Sequence, residues 1–267
     1  MLPCCRVAKG DSRTMRIRGK WNLRLRQVLL LCALGIVACA GPGELREFRT
    51  EDGVTIAVDL RLPPQAKGAA PLVVLCHQLG RDRSSWAPLV PRLVERGYAV
   101  LALDHRGFGD SRREVTSPDE LTDFHKHNMH LDVVGAVTAA SRCRAVDASR
   151  VAIVGAGFSA DLAVKAAMAN RNVRALVLLS GPIYRDEEDF LIEHSELPVL
   201  LIAAERHERT AFVMRQHAAK LTGPEQRYFE FPASANDPAD WEGTDGLAGD
   251  TGLADMILWF LERNLGS

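Results

Sequence analysis

The sequence predicts an α/β domain built on a mostly parallel sheet with an antiparallel start and helices on both faces. Three observations carry that expectation. From residue 45 onward, short apolar runs alternate with stretches of helical spacing. The runs are continuous in Val, Leu and Ile, as strands covered on both faces must be. The first two β-rich stretches, LREFRT (45–50) and VTIAVDLRLP (54–63), are joined through Asp52-Gly53, a dipeptide suited to a tight antiparallel turn.

The remaining strands are expected at LVVLC (72–76), YAVLALD (98–104), RVAIVG (150–155), VRALVLLS (173–180), PVLLIAA (198–204) and RYFEF (227–231). Helical spacing falls between and after them, at 86–97, 130–143, 160–170, 210–221 and 253–264. Such helices supply the crossovers that parallel neighbours need. Only about 17 residues separate Ser180 from Pro198, too few for a helical lid domain, so any pocket is expected to be shallow and open. Core packing is expected for Trp259 and partial exposure for Trp241. Neither an internal repeat nor a low-complexity segment interrupts the pattern.

The chain of 267 residues carries a formal net charge of −1, unevenly divided. Residues 1–38 hold eight Lys and Arg against the single acid Asp11. The body from 39 onward is therefore acidic, about −8, with no reason to seek nucleic acid. Behind the basic stretch ending at Arg26 runs VLLLCALGIVA (28–38), too short to span a bilayer. It ends in small residues before Cys39, similar to a bacterial lipobox, whose cysteine is lipid-modified. The expected organisation is a signal peptide at 1–38 (with Met15 a plausible alternative start), a short tether at 39–44 and a domain at 45–267. The expected location is the cell envelope, with the membrane reached through the lipid on Cys39. The alternative is an ordinary secretory signal cleaved near Ala38 or Ala40. With Cys4, Cys5 and Cys32 in the leader, Cys76 and Cys143 remain and are read as buried free thiols.

Three segments then carry a resemblance. CHQLGRDRSSW (76–86) resembles the HG-type loop of α/β-hydrolases, with Gln78 in place of the usual glycine. LDHRGFGDS (103–111) resembles their D-x-R-G-x-G-x-S turn. VAIVGAGFSADLAVKAA (151–167) has the strand, sharp turn and small-residue helix of a G-x-S-x-G nucleophile elbow. In this order they make residues 45–265 similar to the small lidless serine esterases of the dienelactone-hydrolase-like branch.

The resemblance implies a triad of Ser, then Asp or Glu, then His in chain order. Its chemistry needs an imidazole to take the serine proton and an acid to orient that imidazole. Here the nucleophile position holds Gly157, which has no side chain to attack with. Glycine adopts the elbow's strained backbone easily, a relief of about 1–3 kcal/mol relative to serine. Ser159 is the fallback nucleophile, but it fills the slot of the motif's last small residue and reads as a helix N-cap or packing residue. The acid is expected where Arg206 and His207 stand, flanked by Glu205 and Glu208 in a solvated loop. None of the eight histidines lies beyond residue 217. EGTDGL (242–247) resembles the family's H-G-T-D stretch and sets Glu242 at the histidine position; a second alignment sets Asn236 there. Neither has an imidazole's near-neutral pKa.

The function expected from these residues is non-catalytic: an esterase-like body binding a small ester-like or hydrophobic ligand, or a protein. The cleft is expected to be lined by Gln78, Leu79, Gly157 and Phe158, with added room at Gly157, and to need no cofactor. HKHNMH (125–130) offers His125, His127 and His130 at metal-like spacing, but a polar surface is the reading and no metal is expected. His77 and His105 are read as local supports. The competing expectation is an active carboxylic-ester hydrolase rebuilt on Ser159 and His207. A third is a scaffold for an envelope complex, which requires an exposed apolar patch.

Overall fold

The computed structural model describes residues 45–64, 68–234, 239–249 and 251–266. The expected leader, Cys39, the tether and Asn236 lie outside them. Among the described residues, no helix is long and apolar enough to cross a membrane.

The turn at Asp52-Gly53 closes as its chemistry requires. Gly53 takes a φ of +86°, and the Thr50 hydroxyl donates to Asp52 Oδ1 at 2.6 Å. It joins β1 (Glu47–Arg49) to β2 (Thr55–Arg61) antiparallel, with Phe48 opposite Ile56. The sheet continues through β3 (Ala70–Cys76), β4 (Ala99–Leu103), β5 (Val146–Ala156), β6 (Val173–Leu179), β7 (Val199–Ala204) and β8 (Gln226–Phe231). Its spatial order is β1-β2-β4-β3-β5-β6-β7-β8. β2 pairs antiparallel with β4, and every pairing from β4 to β8 is parallel.

Strand alternation divides the core between two faces. Leu72, Val74, Leu101, Ile153, Leu176 and Leu178 face one helical layer. That layer comprises the helices α3 (His130–Ala140), α4 (Ser159–Ala169) and α6 (Glu208–Ala218). Val73, Leu75, Val100, Val154, Val177 and Ile202 face the other, formed by α1 (Val90–Glu95) and α7 (Leu253–Asn264). Ala160, Ala163 and Ala167 let α4 sit close to the strands it crosses.

Two elements escaped the periodicity. A five-residue helix, α2 (Asp123–His127), precedes α3, and a nine-residue helix, α5 (Arg185–Glu193), fills the link between β6 and β7. The latter begins with RDEE, charges that hide helical spacing while suiting a helix N-terminus electrostatically. Nothing between β6 and β7 forms a lid. The tryptophans reverse their expected roles: Trp241 is 7% exposed, against Phe231 at 5.5 Å, while Trp259 is 45% exposed beneath Arg227. Helix phase decides the second case, because Ile257, Leu258, Phe260 and Leu261 take the inward positions of α7. Cys76 and Cys143 are buried and free, and burial pushes the Cys76 thiol well up.

Candidate functional site

The sheet order places the site. From β3 the chain crosses to β4 on one side, and from β5 it crosses to β6 on the other. Oppositely directed connections leave a crevice at the carboxyl ends of β3 and β5. The residues there are His77 to Leu79 after β3 and Gly157 with Phe158 after β5.

The elbow survives as backbone. Gly157 sits at φ +56° and its N–H donates to Leu179 O at 2.8 Å. A Cβ on Gly155 would stand 2.3 Å from Ser159 O, so only glycine lets strand and helix meet so tightly. At the tip the added room expected at Gly157 is not found. A Cβ there would lie 2.7 Å from Gln78 Cβ, closer than two carbons approach without displacement.

Gln78 is held where it is. Its Nε2 donates to Glu242 O at 3.1 Å and Asp245 Oδ1 at 3.4 Å. Its Oε1 accepts from Thr244 N at 3.2 Å and Thr244 Oγ1 at 2.8 Å. With all its amide hydrogen-bonding directions engaged, this buried side chain staples the loop after β3 to the loop after β8. Leu79, the next residue, turns outward and is 64% exposed, and Phe158 is half-buried, stacked 6.2 Å from Phe108. Cavities of about 620 and 650 Å³ lie elsewhere, the first beside Asp59, Arg83 and α1, the second between β8 and α7.

Ser159 does not cap α4. Phe158 occupies that position, and the Ser159 hydroxyl donates to His77 O at 2.7 Å while meeting His105 Nε2 at 2.8 Å. Behind that imidazole, His105 Nδ1 stands 3.5 Å from Asp132 Oδ2, with both side chains fully buried. Asp132 Oδ1 accepts from Arg106 Nε at 2.9 Å and Nη2 at 2.7 Å, and Arg106 Nη1 reaches Asp52 Oδ2 at 2.6 Å. His77 completes the group by accepting from His105 N at 3.1 Å. Burial, and then the neighbouring His105 ring, hold its imidazole down at about 3. The order Ser159, His105, Asp132 thus places hydroxyl, imidazole and carboxylate in a row, sealed inside the protein. The sequence signal for it was Asp132, one acid on the apolar stretch HLDVVGAV.

Above the elbow stands a different pair. Arg206 is exposed on the loop after β7. His207 beside it contacts Thr210 Oγ1 through Nδ1 at 2.8 Å, and its Nε2 lies 3.9 Å from Glu242 Oε2. Glu242 Oε1 would be 3.5 Å from a Cβ at Gly157. His207 and Glu242, from the loops after β7 and β8, thus meet beside the elbow. Glu205 holds Ala233 N at 2.9 Å, and Glu208 is exposed in the first turn of α6. His125, for its part, closes the capping box of α2 with Thr122, and His130 Nδ1 meets His127 O at 3.1 Å. Among the described residues no three His, Cys, Asp or Glu stand as a metal-holding group.

Comparison with known proteins agrees with this architecture. Residues 71–213 match the family model described as alpha/beta hydrolase fold. Epoxide hydrolase A of Mycobacterium tuberculosis is 35% identical over 92 residues, 34% of this chain and 27% of that protein. The quorum-quenching protein AidA of Acinetobacter baumannii is 34% identical over 120 residues, 45% of this chain and 38% of that one. The chain thus spans well under half the length of these relatives. A dienelactone hydrolase from Anabaena variabilis superposes with a TM-score of 0.64 at 18% identity, covering 84% of this chain and 98% of that one. An esterase from Pyrococcus furiosus gives 0.62 at 18% identity over 86% and 98%. At such identities the structural likeness speaks for the fold.

Proposed function

We propose that this chain, which belongs to the α/β hydrolase fold family, works by binding rather than by covalent catalysis, as an exported lipoprotein acylated at Cys39. The observation that carries this reading is at Gly157. The tip of the elbow has no reactive atom, and Gln78 Cβ takes the space a side chain would need. The ionisable group beside Gln78 at that point is the Glu242 carboxylate, 3.5 Å from a Cβ placed there, which cannot serve as both base and acid near neutral pH as an imidazole does.

The second reading, an ester hydrolase rebuilt on Ser159, draws on the contact between Ser159 Oγ and His105 Nε2. What weighs against it is access. Ser159, His105 and Asp132 are all fully or almost fully buried, and a nucleophile has to touch its substrate. A fluorophosphonate probe and an aryl ester separate the two readings. The expected result is no covalent labelling and no turnover above buffer. Stoichiometric labelling with turnover, both abolished in Ser159→Ala, would establish the second reading. For the anchor, incorporation of a fatty-acid label that Cys39→Ser eliminates is the expected outcome, and label persisting in that variant refutes it.

A further inference from the structure

Side-chain exposure at the carboxyl end of the sheet follows an unusual pattern. Among the described residues, the four most exposed large apolar side chains are Leu79 (64%), Tyr184 (62%), Phe124 (61%) and Phe212 (60%). Leu79 follows β3, Phe124 lies on the excursion after β4, Tyr184 follows β6 and Phe212 sits one turn into α6 after β7. All four therefore belong to segments that leave the same end of the parallel sheet. Neighbouring strands are about 4.8 Å apart, so the roots from β4 to β7 are spread over roughly 20 Å, the width of a modest protein interface. Scattered exposed apolar residues need no explanation, but a grouping at the crevice end does.

The same end is acidic. Apart from the buried Asp104, Arg106, Glu187 and Glu188, residues 77–89, 104–129, 180–188, 205–209 and 239–249 carry eight Lys and Arg against twelve Asp and Glu. The loop 239–249 that crosses the elbow has Asp240, Glu242 and Asp245 and no basic residue; Asp245 pairs with Arg81 at 2.7 Å, which leaves Asp240 and Glu242 to face a partner. Phe124, Leu79, Tyr184 and Phe212 supply apolar contact, and the acid excess selects the sign of whatever brings its own apolar surface.

We infer that this end is a docking face for a basic amphipathic segment of a partner protein, one whose apolar stripe covers Leu79, Tyr184 and Phe212 while its Lys and Arg meet the 239–249 loop. The inference rests on the binding reading of the site. Charge argues for a protein segment over a lipid surface, because anionic headgroups would be repelled by the same acids. Gln78 fits this use, since its Cβ fills the space a side chain at position 157 would take.

The test uses the purified chain and a synthetic helical peptide of Leu and Lys at amphipathic spacing. The controls are its scrambled counterpart, a Leu and Glu version, and vesicles of phosphatidylglycerol and phosphatidylethanolamine. The expected result is binding of the Leu/Lys helix about tenfold tighter than either control peptide, weakening as salt rises. Replacing Leu79, Tyr184 and Phe212 with serine should cost roughly tenfold in affinity and leave the unfolding curve in place, as such exposed sites allow. Asp240→Asn with Glu242→Gln should weaken binding at low salt only. Equal affinity for the scrambled peptide, unchanged affinity in both variants, or preferential retention on vesicles would each overturn the docking face. Ester turnover measured on the same sample would instead overturn the non-catalytic reading, so the two failures are distinguishable.

Discussion

Returning a serine to position 157 tests the closed elbow directly. The new Cβ would stand 2.7 Å from Gln78 Cβ at a φ of +56°. A left-handed backbone costs a serine about 1–3 kcal/mol, and forcing a methylene-sized group into a filled site costs a further 1–3 kcal/mol or so. Gly157→Ser should therefore lose about 2–6 kcal/mol in urea unfolding. For a body of this size that is a fall of roughly 4–24 °C in Tm. Gln78→Gly removes the opposing Cβ, so the double variant should be more stable than the two single effects predict, by about 1–3 kcal/mol of coupling. The restored serine should stay inert to the fluorophosphonate, because Glu242 and not an imidazole lies beside it. A Gly157→Ser protein within about 0.5 kcal/mol of the parent, or strict additivity in the double variant, would refute the claim that Gln78 fills the nucleophile's space.

Asp132→Asn strands the buried Arg106 guanidinium with Asp52 as its remaining carboxylate; a loss of about 3–5 kcal/mol in chemical denaturation is expected, and one below about 1 kcal/mol would refute the buried pairing. His77 has a folded pKa of about 3, below its ordinary 6.5, so the neutral ring favours the native state. Its contribution is therefore intact above pH 6.5 and lost as pH falls from there toward 3, by about 1.4 kcal/mol per unit. His77→Asn should remove that slope from urea titrations run between about pH 7.5 and 5, and an unchanged slope would refute it. Trp241→Ala should cost about 3–5 kcal/mol as a core deletion, whereas Trp259→Ala should cost under about 1 kcal/mol and remove the fluorescence that acrylamide quenches most readily. The reverse ranking would mean that α7 sits in a different phase.

Most of the sheet was legible because buried parallel strands must be continuous in Val, Leu and Ile, a property carried by each strand alone. The hairpin at Asp52-Gly53 was legible for a similar reason, since its turn needs a residue that accepts positive φ. Helix α5 was not, because its first turn, Arg185 to Glu188, is charged throughout and only Leu191 and its neighbours show the apolar side. Trp241 and Trp259 were misjudged because side-chain burial depends on helix phase and on what lies opposite, and a one-residue rotation exchanges inside for outside.

The candidate site divides along the same line. Glycine at position 157 and the lack of a histidine beyond residue 217 are matters of residue identity, read directly from the sequence. Which side chains gather around the elbow is a matter of distance between segments far apart in the chain. Gln78 meets Thr244 across 166 residues, Ser159 meets His105 across 54, and His207 comes within 3.9 Å of Glu242. No periodicity encodes such meetings, because they follow from strand order and from the crevice that the crossovers open between β3 and β5. The sequence by itself determined that glycine stands at position 157. Only the tertiary structure decided that Gln78 closes it, since contact between two side chains depends on the packing of the loops that bear them.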